Sequence, residues 1–185
     1  MKTHTQSYMR GVAFFVTLCV MSAFGLRDAR AQTEQTEISF HVPGKNTEVT
    51  QNFPLEAGDK PHHLLPLFEV HRTFPDNPPI FAGVRVKDQW NRGFTDLVDN
   101  DGTVVAYYVI HMDNGDKVLG AYHEVAQWDA EDYPGTRVNK GILVLTGGTG
   151  KLRGIRGRLR VTTLIDSANG VKDTAYDGEY WFEGR

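Results

Sequence analysis

From residue 38 onward the chain alternates apolar and polar residues in short runs, and no window carries the 3.6-residue period of an amphipathic helix. Ile38-Ser39-Phe40-His41-Val42 opens the series as a strand. The segment from Pro43 to Lys60 is rich in Gly, Pro, Asn and charge and reads as loop, with a short strand over residues 48–52. Residues 63–74 form an apolar strand that Pro61 and Pro66 confine to an edge or an irregular position. After the turn Pro75-Asp76-Asn77-Pro78-Pro79, strands are predicted over residues 80–89, 93–98, 103–112, 117–127, 141–146, 158–165 and 171–182. Turn-forming clusters at 99–102, 113–116 and 167–170 separate them. Strands at this spacing without helices predict an all-β sandwich or barrel, and a barrel is preferred because closure removes exposed edges.

Two hairpins carry register information. Asn114-Gly115 favours a two-residue type I′ turn, which would set Val105 opposite Glu124, Tyr107 opposite Tyr122, Val109 opposite Gly120 and His111 opposite Val118. The other face would then pair Ala106 with His123, Tyr108 with Ala121 and Ile110 with Leu119. Neither face is polar, so one is expected to line a lumen and the other to be covered. The first face, with two phenols, a base and a carboxylate, is assigned to the lumen. In the last hairpin, a loop over 167–170 would place Arg160 opposite Asp177 and Arg158 opposite Glu179, either as exposed ion pairs or as a buried charged floor.

Composition narrows the setting. Lys2 and Arg10 precede a sixteen-residue apolar stretch from Gly11 to Leu26, and Ala29-Arg30-Ala31 supplies a small-x-small site. Residues 1–31 are therefore expected to be a cleaved signal peptide and residues 32–185 a single domain in the periplasm or outside a bacterial cell. Cleavage would remove Cys19, the only cysteine, which excludes a disulfide framework, a zinc-thiolate site and a cysteine nucleophile. The leader holds four basic residues and one acid, so its loss would move the formal net charge from −3 to −6. That balance argues against nucleic acid or an anionic membrane surface as partner.

Directly after Ile142-Leu143-Val144-Leu145 comes Thr146-Gly147-Gly148-Thr149-Gly150-Lys151-Leu152-Arg153-Gly154-Ile155-Arg156-Gly157, with five glycines in eleven residues. A phosphate loop would need Gly at Leu145 and Ser or Thr at Leu152, and a dinucleotide motif would need Gly at Arg153. Both fail, and the glycines are read as joining two strands. The strand ending Gly-Gly-Thr-Gly, the Lys-Leu-Arg-Gly turn and the Gly opening the next strand resemble allene oxide cyclases and dirigent proteins over residues 140–166. The resemblance implies an eight-stranded antiparallel β-barrel and a homo-oligomer, a trimer or a dimer. It also implies a small hydrophobic ligand: an oxygenated lipid cyclised in the first family, a phenolic or lignin-derived molecule in the second. Dirigent proteins use Asp, Arg and Tyr at the barrel mouth, but no match outside the glycine motif assigns those positions here.

The residues themselves leave acid–base chemistry in an apolar cavity as the leading possibility. His62 and His63 are adjacent and would point to opposite faces, while His71, His111 and His123 lie on separate strands, so no metal is expected. Ser39 and Ser167 give a serine triad little footing, and no redox-cofactor motif is present, so no cofactor is expected. Carboxylates within apolar stretches are Glu69, Asp88, Asp96 and Glu124. The reading is a secreted, cofactor-independent lyase, isomerase or cyclase. Glu69, His111 and Glu124 would move protons, Arg85 would stabilise developing negative charge, and Tyr107 and Tyr122 would hold the substrate. A barrel that binds a ligand without chemistry, or one filled by its own side chains, is the alternative.

Overall fold

The computed structural model describes residues 34–166 and 169–184, and the leader expected over residues 1–31 lies outside them. Eleven strands occur among the described residues. They are β1 (Thr36–Pro43), β2 (Thr47–Phe53), β3 (His63–Leu64), β4 (Leu67–Thr73), β5 (Ile80–Phe81), β6 (Val84–Val98), β7 (Asp101–Met112), β8 (Lys117–Trp128), β9 (Thr136–Gly148), β10 (Ile155–Asp166) and β11 (Gly170–Phe182). All pair antiparallel in the order β1-β11-β10-β9-β8-β7-β6-β4-β2, with the two-residue β3 and β5 both attached to β6. The protein is all-β, an antiparallel sheet curled into a half-barrel. No helix of the described residues is long and apolar enough to cross a membrane.

The eleven strands are one more than the ten predicted along the chain and three more than the eight that the resemblance implies. Pro66 splits the predicted 63–74 strand into β3 and β4. Ala82 and Gly83 both take positive φ and turn the chain between β5 and β6, a break that the sequence reading placed near residue 90 instead. β6 then runs unbroken through Gln89-Trp90-Asn91-Arg92, a stretch whose polarity made it look like a turn. A bulge between Val86 and Asp88 changes which residues face inward, so that Val84, Val86, Gln89, Asn91, Thr95 and Leu97 are all buried.

The decisive difference lies at the β7–β8 turn. Gly115 N donates to Met112 O at 3.0 Å and Met112 N to Asp116 O at 2.9 Å, closing a three-residue loop. Only Gly115 takes positive φ, at +87°, so this is a type I turn with a following glycine bulge, not type I′. The Asn114 side chain holds it, accepting from Asp116 N at 3.0 Å and donating to Asp116 Oδ2 at 2.8 Å. One extra loop residue moves the register by one, and Tyr122 sits opposite Ala106, Glu124 opposite Val104 and Tyr108 opposite Gly120. The predicted pairs Tyr107–Tyr122 and Val105–Glu124 do not form. Because side chains alternate with period two, such a slip changes faces: Tyr108 turns inward and Tyr107 outward. The positive-φ two-residue turn occurs instead at Asp99-Asn100, between β6 and β7.

The glycine stretch joins β9 to β10 as expected, through a 3-10 turn at Gly150–Leu152 whose Leu152 is fully buried. In the last hairpin the expected pairs Arg158 with Glu179 and Arg160 with Asp177 are present. Arg160 and Asp177 form an ion pair with side chains 78% and 57% exposed, so the buried charged floor is ruled out for them. They edge a wide, shallow depression on the outer surface of β1, β10 and β11.

Inside the curl a single apolar core also holds buried polar residues. Val86, Met112, Val118, Leu145, Ile155 and Leu159 belong to a continuous apolar core, each 2% exposed or less. The buried polar residues Arg72, Gln89, Asn91, Thr95, Glu124 and Asn139 share the interior with it. Leu159→Ala should cost about 2–5 kcal/mol through the lost transfer energy and the cavity left behind. Arg160→Ala should cost less than about 1 kcal/mol. Urea denaturation of both variants measures the contrast, and similar losses would mean that the interior is not what holds the fold.

Candidate functional site

A cavity of about 220 Å³ opens where buried polar residues meet this core. Its wall runs from the buried Arg72, Asn91, Tyr108, Tyr122, Glu124 and Asn139 to the exposed Val49, Asn52 and Gly170. It therefore reaches the surface between β2 and the start of β11. Local sequence explains the two charged members. Arg72 shares strand parity with Phe68 and Val70, so the inward face of β4 ends in a guanidinium. Glu124 follows Val118, Gly120 and Tyr122 on the inward face of β8. Gly141 stands opposite Glu124, and a Cβ there would lie 2.6 Å from Glu124 Cα and 1.9 Å from His123 O. Only a glycine lets β9 pass this close to the acid.

A hydrogen-bonded chain ties cavity-wall residues to buried residues behind them. Gln89 Nε2 donates to Tyr176 OH at 2.8 Å and lies 3.1 Å from Asn91 Oδ1, and the Tyr176 and Tyr108 hydroxyls are 3.5 Å apart. Arg72 Nη2 donates to Thr174 Oγ1 at 3.3 Å, and Thr174 Oγ1 to Thr163 Oγ1 at 3.4 Å. The rings of Tyr108 and Tyr122 meet at 5.1 Å with a 50° tilt, and Phe40 stacks on Tyr176 at 4.4 Å. Several buried polar atoms lining the cavity have no partner: Arg72 Nε and Nη1, Glu124 Oε1, Thr95 Oγ1, Asn139 Oδ1 and Arg137 Nε. All belong to residues on the cavity wall. Buried polar atoms are normally bonded, so a cluster of unbonded ones around one space marks a place built for a polar guest.

The electrostatics follow from burial. Desolvation drives the Glu124 carboxyl from an ordinary 4.5 up to about 8, against the opposing pull of Asn139, Arg72 and Arg137. Glu124 is therefore an uncharged acid near neutrality. Burial also disfavours the Arg72 cation, but Tyr176, Tyr108 and Glu124 around it outweigh that and hold its pKa above the usual value. Burial lifts the Tyr108 phenol well above its usual range, so it stays protonated. A neutral acid, a neutral phenol and a fixed cation thus face one space. Such a group can lend a proton and take it back while the cation holds an oxygen.

Of the six residues singled out from the sequence, the fold brings Glu124 and Tyr122 to this cavity and leaves four on the outer surface. Tyr107 is 49% exposed there, the direct result of the register change. His111 faces outward with Nδ1 2.6 Å from Asp88 Oδ1. Arg85 lies on the outer face of β6 with Nε 3.7 Å from Asp113 Oδ2. Glu69 accepts from Thr50 Oγ1 at 2.8 Å and lies 2.6 Å from Arg92 Nε, and the Thr50 bond in particular holds its pKa below the usual carboxylate value. The guanidinium of Arg92 in turn covers the Trp90 ring at 5.1 Å. Asp96, also noted in the sequence, pairs outside with His63 at 2.8 Å. Arg72, Tyr108, Asn91 and Asn139 were not singled out. The signal for Arg72 was available: it is a cation on the apolar parity of its own strand. Among the described residues no group of three His, Cys, Asp or Glu is placed to hold a metal ion.

No family model and no curated protein matches the chain. Solved structures with a similar fold include the pterocarpan synthase dirigent protein PsPTS1, at 12% identity and TM-score 0.48, covering 82% of this chain and 97% of that one. The pterocarpan synthase dirigent protein GePTS1 matches at 13% identity and TM-score 0.47, over 96% of this chain and 100% of that one. Pyocyanin demethylase matches at 14% identity and TM-score 0.41, over 77% of this chain and 99% of that one. Each is a likeness of fold.

The raised Glu124 pKa has a thermodynamic consequence. Between pH 4.5 and about 8 the folded protein keeps a proton on Glu124 that the unfolded chain has released. Stability should therefore be highest below that window, fall as pH rises through it, and level off above it. The loss attributable to this group is on the order of a few kcal/mol. Glu124→Gln should flatten that fall in denaturant titrations at pH 5, 7 and 9. Parallel pH profiles for the two proteins would show that Glu124 titrates normally.

Proposed function

We propose that the cavity is a small-molecule site and that the protein is a lyase, isomerase or cyclase working by proton transfer from Glu124. The observation that carries this reading is the meeting of two buried groups, Glu124 and Arg72, on one wall with atoms that no protein group satisfies. In an elimination, Glu124 would give its proton to a hydroxyl or ether oxygen as the C–O bond breaks, the bonding electrons leaving with that oxygen. The resulting carboxylate would take a proton from the neighbouring carbon or phenol as the new double bond forms. In an isomerisation or cyclisation the proton lent to an oxygen is returned within the same turnover. Both sequences are redox-neutral and leave Glu124 as it began. Tyr108 and Tyr122 would position the ring or hydroxyl of the substrate, and Arg72 would hold one of its oxygens.

Size selects among the substrates. Cavities of roughly 150 Å³ accept benzene, and drug-sized ligands need about 300 Å³ or more. A space of about 220 Å³ suits one ring with a short polar substituent better than a long acyl chain. That favours the phenolic arm of the reading over the oxygenated lipid. With the expected leader over residues 1–31, the reaction would belong to the periplasm or the exterior. Incubation with a panel of lignin-derived phenols and epoxy fatty acids, followed by chromatography, should reveal conversion of a single-ring substrate. Glu124→Gln should lower turnover at least 100-fold, the lower end of what a positioned acid contributes being about 10². Glu69→Gln and His111→Gln, whose side chains are paired on the outer face, should change it less than about threefold. Loss of turnover in those two with retention in Glu124→Gln would refute the assignment.

The homo-oligomer expected from the sequence has a physical counterpart in the outer face of β6 to β9. Phe94, Tyr107, Val125, Ile142 and Val144 are 39–63% exposed there, and Phe94, Val105, His123 and Ile142 are paired in one continuous row across four strands. We propose that a second copy of the chain covers this face. Light scattering at micromolar concentration should report a dimer or trimer; monomer alone would refute it.

A further inference from the structure

The cavity wall carries more positive than negative charge. Arg72 is 4% exposed, has its Nε and Nη1 unbonded, and forms no ion pair among the described residues. Arg137 adds a second guanidinium to the wall, its Nε also buried and unbonded. The one carboxyl among the described lining residues is Glu124, which burial keeps protonated near neutrality, so it does not supply the missing counter-charge. Tyr108 and Tyr122 are neutral phenols in the same wall, and Asn91, Asn139, Thr95 and Thr163 are uncharged. A cation removed from water is stable only when an anion or a full set of acceptors meets it. Here Arg72 meets only two hydroxyls, Thr174 Oγ1 at 3.3 Å from Nη2 and that of Tyr108, and neither carries a charge. The apolar part of the wall is Phe68, Val70, Leu97 and Val104, with the two tyrosine rings.

We propose that the ligand of this cavity is a small aromatic monocarboxylate, its carboxylate received by the free nitrogens of Arg72 and its ring by Tyr108 and Tyr122. This rests on the reading of the cavity as a small-molecule site and specifies which oxygens Arg72 holds there. An inorganic anion satisfies the guanidinium but leaves the apolar wall empty. A neutral phenol fills the wall but leaves the guanidinium unpaired. The carboxylate does both. Binding is also coupled to the state of Glu124, which faces Arg72 from β4, Tyr108 from β7, Tyr122 from its own strand, and Asn139 and Arg137 from β9. A second anion in the same cavity disfavours ionisation of Glu124, so the carboxylate binds best while Glu124 is protonated.

Calorimetric titration with 4-hydroxybenzoate, 4-hydroxybenzyl alcohol and inorganic phosphate at pH 6.5 tests this. The benzoate should bind at least tenfold more tightly than the alcohol and than phosphate. Arg72→Gln should abolish the preference over the alcohol, and Arg72→Lys, which keeps the charge if the glutamine variant fails to fold, should retain part of it. Moving to pH 9 should weaken benzoate binding in the native protein at least threefold and leave it within twofold in Glu124→Gln. Equal affinity for benzoate and alcohol, or a preference that survives Arg72→Gln, overturns the carboxylate assignment while the small-molecule site stands. Phosphate binding as tightly as benzoate overturns the aromatic part. If none of the three binds, both the carboxylate and the site reading fall.

Discussion

A guanidinium taken out of water without a counter-ion costs on the order of several kcal/mol, and the open half of this barrel is organised around one such group. Arg72 sits at 4% exposure where the β4 parity of Phe68 and Val70 would ordinarily place another apolar side chain. The apolar core, which joins Val118, Leu145, Ile155 and Leu159 to the cavity-wall residues Tyr108 and Tyr122, supplies the packing that tolerates this. Around Arg72 the sheet gathers Gln89, Tyr108, Glu124 and Tyr176 from four different strands, and bonds among them are incomplete. Local violation of the rule that interiors are satisfied, inside an otherwise regular fold, is the usual signature of a functional site.

That arrangement depends on a turn three residues long. With a two-residue turn at Asn114-Gly115, Tyr107 and His111 would share the inward face with Tyr122 and Glu124; with the observed loop, Tyr108 does so instead. The preference of Asn-Gly for type I′ is real, but Asn114 is recruited by its side chain to Asp116 and keeps negative φ, leaving Gly115 alone in the left-handed region. Register in a β-sheet is a discrete choice, and a single residue in a loop decides which half of a hairpin's chemistry is inside.

The fold was legible in the chain: strand alternation, turn clusters, the glycine corner after β9 and the charge-matched last hairpin all recur in the structure. The site was legible only in part. Glu124 was found because it interrupts an apolar run, and Tyr122 came with it on the same parity. Arg72, Asn91 and Gln89 were missed because inward-facing polar residues mimic loop composition, and in β6 they even suggested a strand break that does not exist. Glu69 and His111 were drawn in because a carboxylate or imidazole among apolar neighbours looks buried until its partner is known. Here the partners, Arg92 and Asp88, stand on the outer face. Parity within each strand, read outward from an unambiguous core position, separates the two cases better than local hydrophobicity.

The central claim is that burial makes Glu124 a neutral acid poised near physiological pH beside a fixed cation. Carbon-detected NMR of protein labelled at the glutamate carboxyl, titrated from pH 4 to 10 and assigned against Glu124→Gln, reads that state directly. A Glu124 resonance titrating near 8, apart from the other glutamates, is the predicted result. A midpoint near 4.5 would mean that Glu124 is ionised near neutrality and offsets the Arg72 charge, and the site as described would not exist.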